Sequence, residues 1–289
     1  MFHDSLSRSD LLMVTAALIL PLLAACAAGE SRASEGENAP ATRELVVHAR
    51  DFRFDAPATV PSGPTRIRLI NEGPDFHHVW LVRLDEGKTV ADLMRQLATG
   101  DETMPAWATD VGGPNTPGAP GQETSAVLDL KPGSYAMICV IPAPNGRLHV
   151  MEGMARPLTV VPSEGGATSM PKAELTMRLD DYSFELDRPI TPGRHTIRVE
   201  NLAEQTHEVL IVRLEPGRSA GDFLSWVMPR QGPPPGLPVG GVTGLARGES
   251  NLITIEFEPG EYALLCFVPD AGDGQPHVAH GMVKQFSVS

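Results

Sequence analysis

The 289-residue chain is predicted to be all-β: two Greek-key β-sandwich domains in tandem, each with a short helix in a long loop. Three observations carry this prediction. Glycine (28) and proline (27) are abundant while aromatic residues make up 5%, which implies frequent turns rather than a helical bundle. Apolar residues recur in short runs that alternate with a period of two, as half-buried strands do. From Glu44 onward the chain also repeats itself. Glu44–Leu84 aligns without a gap on Glu174–Leu214, with 13 of 41 positions identical, among them Asp51/Asp181, Asn71/Asn201 and His77/His207. A shift of 130 residues is a whole domain copied, not a solenoid unit.

Residues 1–26 are a targeting segment, because Arg8 precedes an apolar run, Leu11–Ala25, that is too short to span a membrane. The run ends Leu23-Ala24-Ala25-Cys26, which resembles the bacterial lipobox; the resemblance implies cleavage before Cys26 and lipidation of its thiol. Ala27 follows rather than an aspartate, and by the same resemblance that implies the outer membrane. A cleaved signal with an incidental Cys26 is the plainer alternative. Residues 27–43 are rich in Ser, Glu, Ala and Gly with few large apolar groups, and read as a flexible tether. The first domain covers 44–162 and the second 173–289, with the polar segment Pro162–Lys172 between them. Each has material for a core of its own.

Within a repeat, Thr65–Asn71, His77–Leu84, Ser125–Leu130, Ser134–Ile141 and Pro157–Val161 read as strands. Thr89 three residues before Asp92, and Ser219 three before Asp222, mark one helix start per repeat by capping-box logic. The Pro/Gly-rich stretches Met104–Pro120 and Met228–Val242 read as loops. The formal charge of −13 excludes nucleic acid as a partner, since phosphates would be repelled.

The chemistry sits in one stretch and its copy: YAMICVIPAPNGRLHVMEGM (Tyr135–Met154) and YALLCFVPDAGDGQPHVAHGM (Tyr262–Met282). Each carries one cysteine and closes on His-Val-x-x-Gly-Met. Cys, His and Met are soft or borderline ligands, and their meeting on one loop suits copper better than Mg, Ca or Mn. Each residue also has a plain structural reading: a buried Cys as a small hydrophobe, a Met after Gly as core filler, a His at a strand end as a local hydrogen-bond partner. Recurrence of all of them, in order, in both halves favours the metal. A Cys139–Cys266 disulfide is not expected, because equivalent strands of two sandwiches would have to bring Cα atoms within about 7 Å.

The chain resembles a tandem cupredoxin, the blue-copper family, and its loop ending is similar to that of the type 1 site of copper nitrite reductases. The resemblance covers Glu44 to the C-terminus. It implies one mononuclear copper per domain, held by His77, Cys139, His149 and Met154 in the first and by His207, Cys266, His277 and Met282 in the second. His78 is an alternative to His77, but its counterpart is Glu208. Nine residues separate Cys139 from His149 and ten separate Cys266 from His277, a long loop that something else must hold. The resemblance further implies one-electron transfer with a redox protein partner, outside the cytoplasm and at a membrane through the Cys26 anchor. Copper storage or delivery uses the same ligands, and a metal-free module whose Pro/Gly-rich loops contact a partner is a further alternative. No enzyme activity is expected, because catalytic copper sites in that family need extra histidines. Here Cys139 is flanked by Ile138 and Val140, Cys266 by Leu265 and Phe267, and no His-x-His pair occurs. His207-Glu208 begins like a zinc-protease motif, but Ile211 stands where its second histidine is needed.

Overall fold

The computed structural model describes residues 42–99, 104–164 and 169–289. The targeting segment with Cys26, and the tether up to residue 41, lie outside the described residues, as does part of the interdomain segment. Residues Pro40–Ser289 form one compact unit. In the first repeat the strands are β1 (Arg43–Arg50), β2 (Arg53–Asp55), β3 (Thr59–Pro61), β4 (Gly63–Asn71) and β5 (Trp80–Leu84). Helix α1 (Val90–Leu97) follows, then β6 (Ala108–Gly112), β7 (Glu123–Leu130), β8 (Gly133–Ile138) and β9 (Ala155–Val161). The second repeat gives β10 (Leu175–Asp180), β11 (Ser183–Leu186), β12 (Gly193–Asn201) and β13 (His207–Leu214). After α2 (Ala220–Val227) come β14 (Gly236–Leu245), β15 (Ser250–Phe257), β16 (Gly260–Leu265) and β17 (Val283–Val288).

The all-β expectation holds. Strand alternation points Ile67 and Leu69 of β4, and Ile197 and Val199 of β12, into a core where all four are fully buried. Both helices start at the expected residues. Thr89 Oγ1 accepts from Asp92 N while Asp92 Oδ2 accepts from Thr89 N, and Ser219 and Asp222 do the same.

The two repeats meet more closely than a polar linker suggests. One sheet runs β11-β10-β12-β15-β7-β4-β1-β2 and the other β17-β16-β13-β14-β6-β5-β8-β9-β3, so both sheets pass through both halves. The order is a palindrome of equivalent strands, apart from β3, and the joints are antiparallel pairings of a strand with its own copy. In one joint Ala126 pairs with Ile253, 127 positions on; in the other Pro114 bridges to Val242, 128 positions on. Those offsets equal the shifts that align Pro132-Gly133 with Pro259-Gly260 and Val111-Gly112-Gly113 with Val239-Gly240-Gly241 in the sequence. A pseudo-twofold axis therefore passes between the halves. The apolar core cluster extends across it without a break.

The stretches expected as loops, Met104–Pro120 and Met228–Val242, instead supply β6 and most of β14, the strands that make one joint. Their glycines are there because backbones cross closely. A Cβ on Gly113 would sit 2.2 Å from Val79 O, and one on Gly241 1.9 Å from Val209 O. β14 continues to Leu245, pairing it with Val111 and His207, whereas β6 stops at Gly112. Pro114 and Pro117 lack the N–H a longer ladder needs, so β5 starts at Trp80 rather than at the expected His77.

Buried polar groups pin the joint. Asn251 accepts from Gly113 N at 2.9 Å and donates to Val111 O at 3.0 Å. Asp110, 2% exposed, accepts from Trp80 Nε1 (2.9 Å) and from Thr206 Oγ1 (2.8 Å) of the other repeat. Burial raises its carboxyl to about 6 against these two hydrogen bonds.

Two expectations follow. Fragments 44–162 and 173–289, expressed separately, expose β6 with β7 or β14 with β15 and should self-associate; sedimentation velocity giving stable monomers of both would show that the joint is dispensable. Asp110 has a folded value above that of an unfolded aspartate, so its stabilising contribution is complete below about pH 4 and is lost as pH rises through about 6. Asp110→Asn should remove roughly 3 kcal/mol of that pH dependence, read from urea midpoints at pH 4 and pH 7.

Candidate metal centres

Each centre is assembled from a strand-end loop and the loop after the next hairpin. At the end of β4, buried Asn71 accepts from Gly73 N (3.0 Å) and donates to Asp75 O (2.8 Å), folding the turn that delivers His77. Asn201 makes the same pair of bonds, to Ala203 N and Gln205 O, ahead of His207. This is why the asparagine is retained in both repeats. Cys139 lies one residue past the end of β8 and Cys266 one past β16. The long loops after them are closed by bridges, Pro142 with Leu148 and Pro269 with Pro276. His149 N then donates to Ile141 O, and His277 N to Val268 O. One 3-10 turn later Gly153 and Gly281 adopt φ of 109° and 93°, a left-handed cap, and Met154 N and Met282 N return to the carbonyls of His149 and His277. These bonds are what hold the loop.

The donors converge. His77, Cys139 and His149 form one cluster and His207, Cys266 and His277 another, each with its ligand atoms within 4.8 Å of one another and each residue fully buried. Nδ1 of His77 lies 3.2 Å from Nδ1 of His149, which is 3.5 Å from Cys139 Sγ. In the second centre Cys266 Sγ is 3.4 Å from His277 Nδ1 and 3.9 Å from His207 Nδ1. Met154 and Met282 are fully buried beside the cysteines, Cys139 N donating to Met154 O.

The surroundings fix which nitrogen faces inward. His77 Nε2 is 2.7 Å from Asp51 Oδ1 and His207 Nε2 is 2.9 Å from Asp181 Oδ1. A ring proton shared with the carboxylate leaves the Nδ1 lone pair for the centre. Burial lowers the pKa of both His77 and His207, and lowers His277 to about 4, so neutral imidazoles are favoured. His149 Nε2 is buried without a hydrogen-bond partner, although Asp75 Oδ2 lies 3.4 Å away, outside good bonding geometry. Burial pushes the Cys139 thiol up to about 12 and raises Cys266 as well. A thiolate in such a place needs a cation beside it. Two imidazole nitrogens and a sulfur in a dry pocket are the donor set that copper prefers, and the residues present fit that metal.

His78, the alternative to His77, is turned away: its Nε2 accepts from Val140 N at 3.0 Å. Glu208 does the same to Phe267 N, also at 3.0 Å, so the two unlike residues hold the backbone just after each cysteine. The sequence reading assigned no role to Asp51 and Asp181, yet their identity in both repeats was the signal. Asp75, Gln205 and Tyr182 carried no such signal, since their counterparts differ. Asp270, Asp273 and His280 also lie together, but as a partly exposed, internally bonded turn without a soft donor.

No protein-family model matches the chain, and no curated protein does. Solved structures do. An auracyanin from Roseiflexus castenholzii, 22% identical, covers 42% of this chain and 99% of its own, with a TM-score of 0.29. A copper-containing nitrite reductase from Thermus scotoductus, 15% identical, covers 86% of this chain and 62% of its own at a TM-score of 0.25. A blue copper oxidase from Nitrosomonas europaea, 14% identical, covers 86% and 85% at 0.23. A reductase and an oxidase among these similar structures correct the expectation of no enzyme activity: this fold also carries catalysts, and missing histidines beside Cys139 and Cys266 do not decide the matter. By strand order and by a His-Cys-His cluster in each half, the chain has a cupredoxin-like fold carried twice.

Proposed function

We propose that the chain is a copper protein that passes single electrons, with one mononuclear centre in each repeat. The observation that carries this is the repeated, fully buried convergence of two Nδ1 atoms and one Sγ. The residues that would hold the metal are His77, Cys139 and His149 in one repeat and His207, Cys266 and His277 in the other, with Met154 and Met282 as further soft donors. Bound copper would supply a Cu(II)/Cu(I) couple in a geometry tolerable to both states. The chain's part is to exclude water, to hold the imidazoles through Asp51 and Asp181, and to keep the loop bridged so that ligands do not rearrange. Full burial of every donor favours retention of the metal over its delivery. The proposal extends to a lipid anchor at Cys26, a place outside the cytoplasm, and a redox protein as electron partner. Among the described residues no helix is long and apolar enough to cross a membrane.

Oxidised protein is expected to hold two coppers per chain and to be strongly coloured, since a Cu(II)–thiolate bond absorbs intensely. Cys139→Ala and Cys266→Ala should each remove about half of the copper and half of the colour, measured by metal analysis and visible absorption; colourless reconstituted protein would reject the reading. Met154→Leu should keep the metal and shift the potential. Asp51→Ala should weaken copper in the first centre by about 10–100-fold and leave the second unchanged. With the Cys139 thiol near 12, loading must displace its proton, so apparent affinity should rise roughly tenfold per pH unit, checked by competition with a chelator of known pH behaviour.

A further inference from the structure

A second site is built between the repeats. A cavity of about 360 Å³ lies at their junction, walled by Phe76, Trp80 and Ile141 from the first repeat and by Leu210, Phe223 and Phe267 from the second. Its polar lining includes His78 and Glu208, which are only 4% and 6% exposed. These two have hydrogen-bonding capacity to spare. His78 Nε2 accepts from Val140 N, so the ring proton sits on Nδ1, and Nδ1 has no acceptor among the described residues. Glu208 accepts from Phe267 N at 3.0 Å and from Asn115 Nδ2 at 3.2 Å, one bond on each oxygen, which leaves each oxygen a further lone pair. The His78 N–H on the cavity wall has no partner among the described residues, and each Glu208 oxygen can take one bond more, so the wall offers a ligand both a donor and an acceptor.

We propose that this cavity binds a small planar aromatic molecule bearing a hydroxyl group. The size decides the class: the volume falls at the lower end of the range for small-molecule sites, about 300–1,000 Å³, and is too small for a helix or strand of a partner. Aromatic walls favour a flat ring system by stacking and edge contacts. A hydroxyl is both donor and acceptor, so it can serve the His78 N–H or a Glu208 oxygen. A bound molecule would touch Ile141 and Phe267, which sit within two residues of Cys139 and Cys266. The inference does not depend on copper, and its test is run on metal-free protein.

Calorimetric titration of metal-free full-length protein with 2-naphthol is expected to show saturable binding of one molecule per chain. 2-Methoxynaphthalene, which cannot donate, should bind at least fivefold more weakly. Ile141→Trp, which fills the cavity, should weaken 2-naphthol at least tenfold. Absence of saturable binding up to the solubility limit overturns the site. Equal affinity for the two probes overturns the role of His78 and Glu208. Should Ile141→Trp fail to fold, nuclear Overhauser contacts from 2-naphthol to the methyls of Ile141 and Leu210 in the unaltered protein serve instead; their absence in the saturated complex also overturns the location. Copper content is measured separately, so loss of the metal reading leaves this result standing.

Discussion

Everything in the molecule hangs on the pairing of two strands with their own copies. β7 against β15 and β6 against β14 close what would otherwise be four bare sheet edges, and an unpaired edge in a β-protein is an invitation to aggregate. Closing them imposes demands that reach far into the sequence. The repeats must come so near that glycine is needed at positions 112 and 244, where a Cβ would run into Asn251 and Trp80 of the opposite repeat. A carboxylate, Asp110, must be buried where it is costly, held by a tryptophan from its own repeat and a threonine from the other. The turn that delivers this threonine's neighbour, His207, is thereby fixed to the partner repeat as well as to its own.

The metal centres add a constraint of a different kind. A cysteine sulfur surrounded by apolar walls is stable as a neutral thiol, and burial favours the neutral rings of His77, His207 and His277. The fold spends backbone hydrogen bonds on orienting these groups, through Asn71 and Asn201 in one loop and through the glycine-capped turns in the other. The result is a set of aimed lone pairs with little room to relax. A buried sulfur held among aimed lone pairs finds its complement in a cation, which is the physical sense in which the set fits one.

Much of this was legible in the chain. The repeat showed through Asp51/Asp181, Asn71/Asn201 and His77/His207 because those residues bear on the centres, and the copied loop ending in His-Val-x-x-Gly-Met marked the stretch from which Cys139, His149, Cys266 and His277 converge. The capping boxes at Thr89 and Ser219 were legible for the same local reason: partner and cap are three residues apart. The joint was not. Met104–Pro120 and Met228–Val242 look like loops because glycine and proline lower strand propensity, and the reason they form strands, close approach to a distant segment, has no local trace. The cavity was hidden likewise, since His78 and Glu208 align as a mismatch and only the structure shows them doing one task at two addresses.

That mismatch has a wider consequence. Two identical polypeptides related by a true twofold axis must carry identical centres, because every substitution is made in both. Here the axis relates halves of a single chain, so each may be altered while the other is left alone. Imidazole at position 78 corresponds to carboxylate at 208, and phenylalanine at 52 to tyrosine at 182, whose hydroxyl donates to Asp270 at 2.6 Å. A single chain is thus free of the identity that true symmetry imposes, and each half can carry its own side chains at equivalent places.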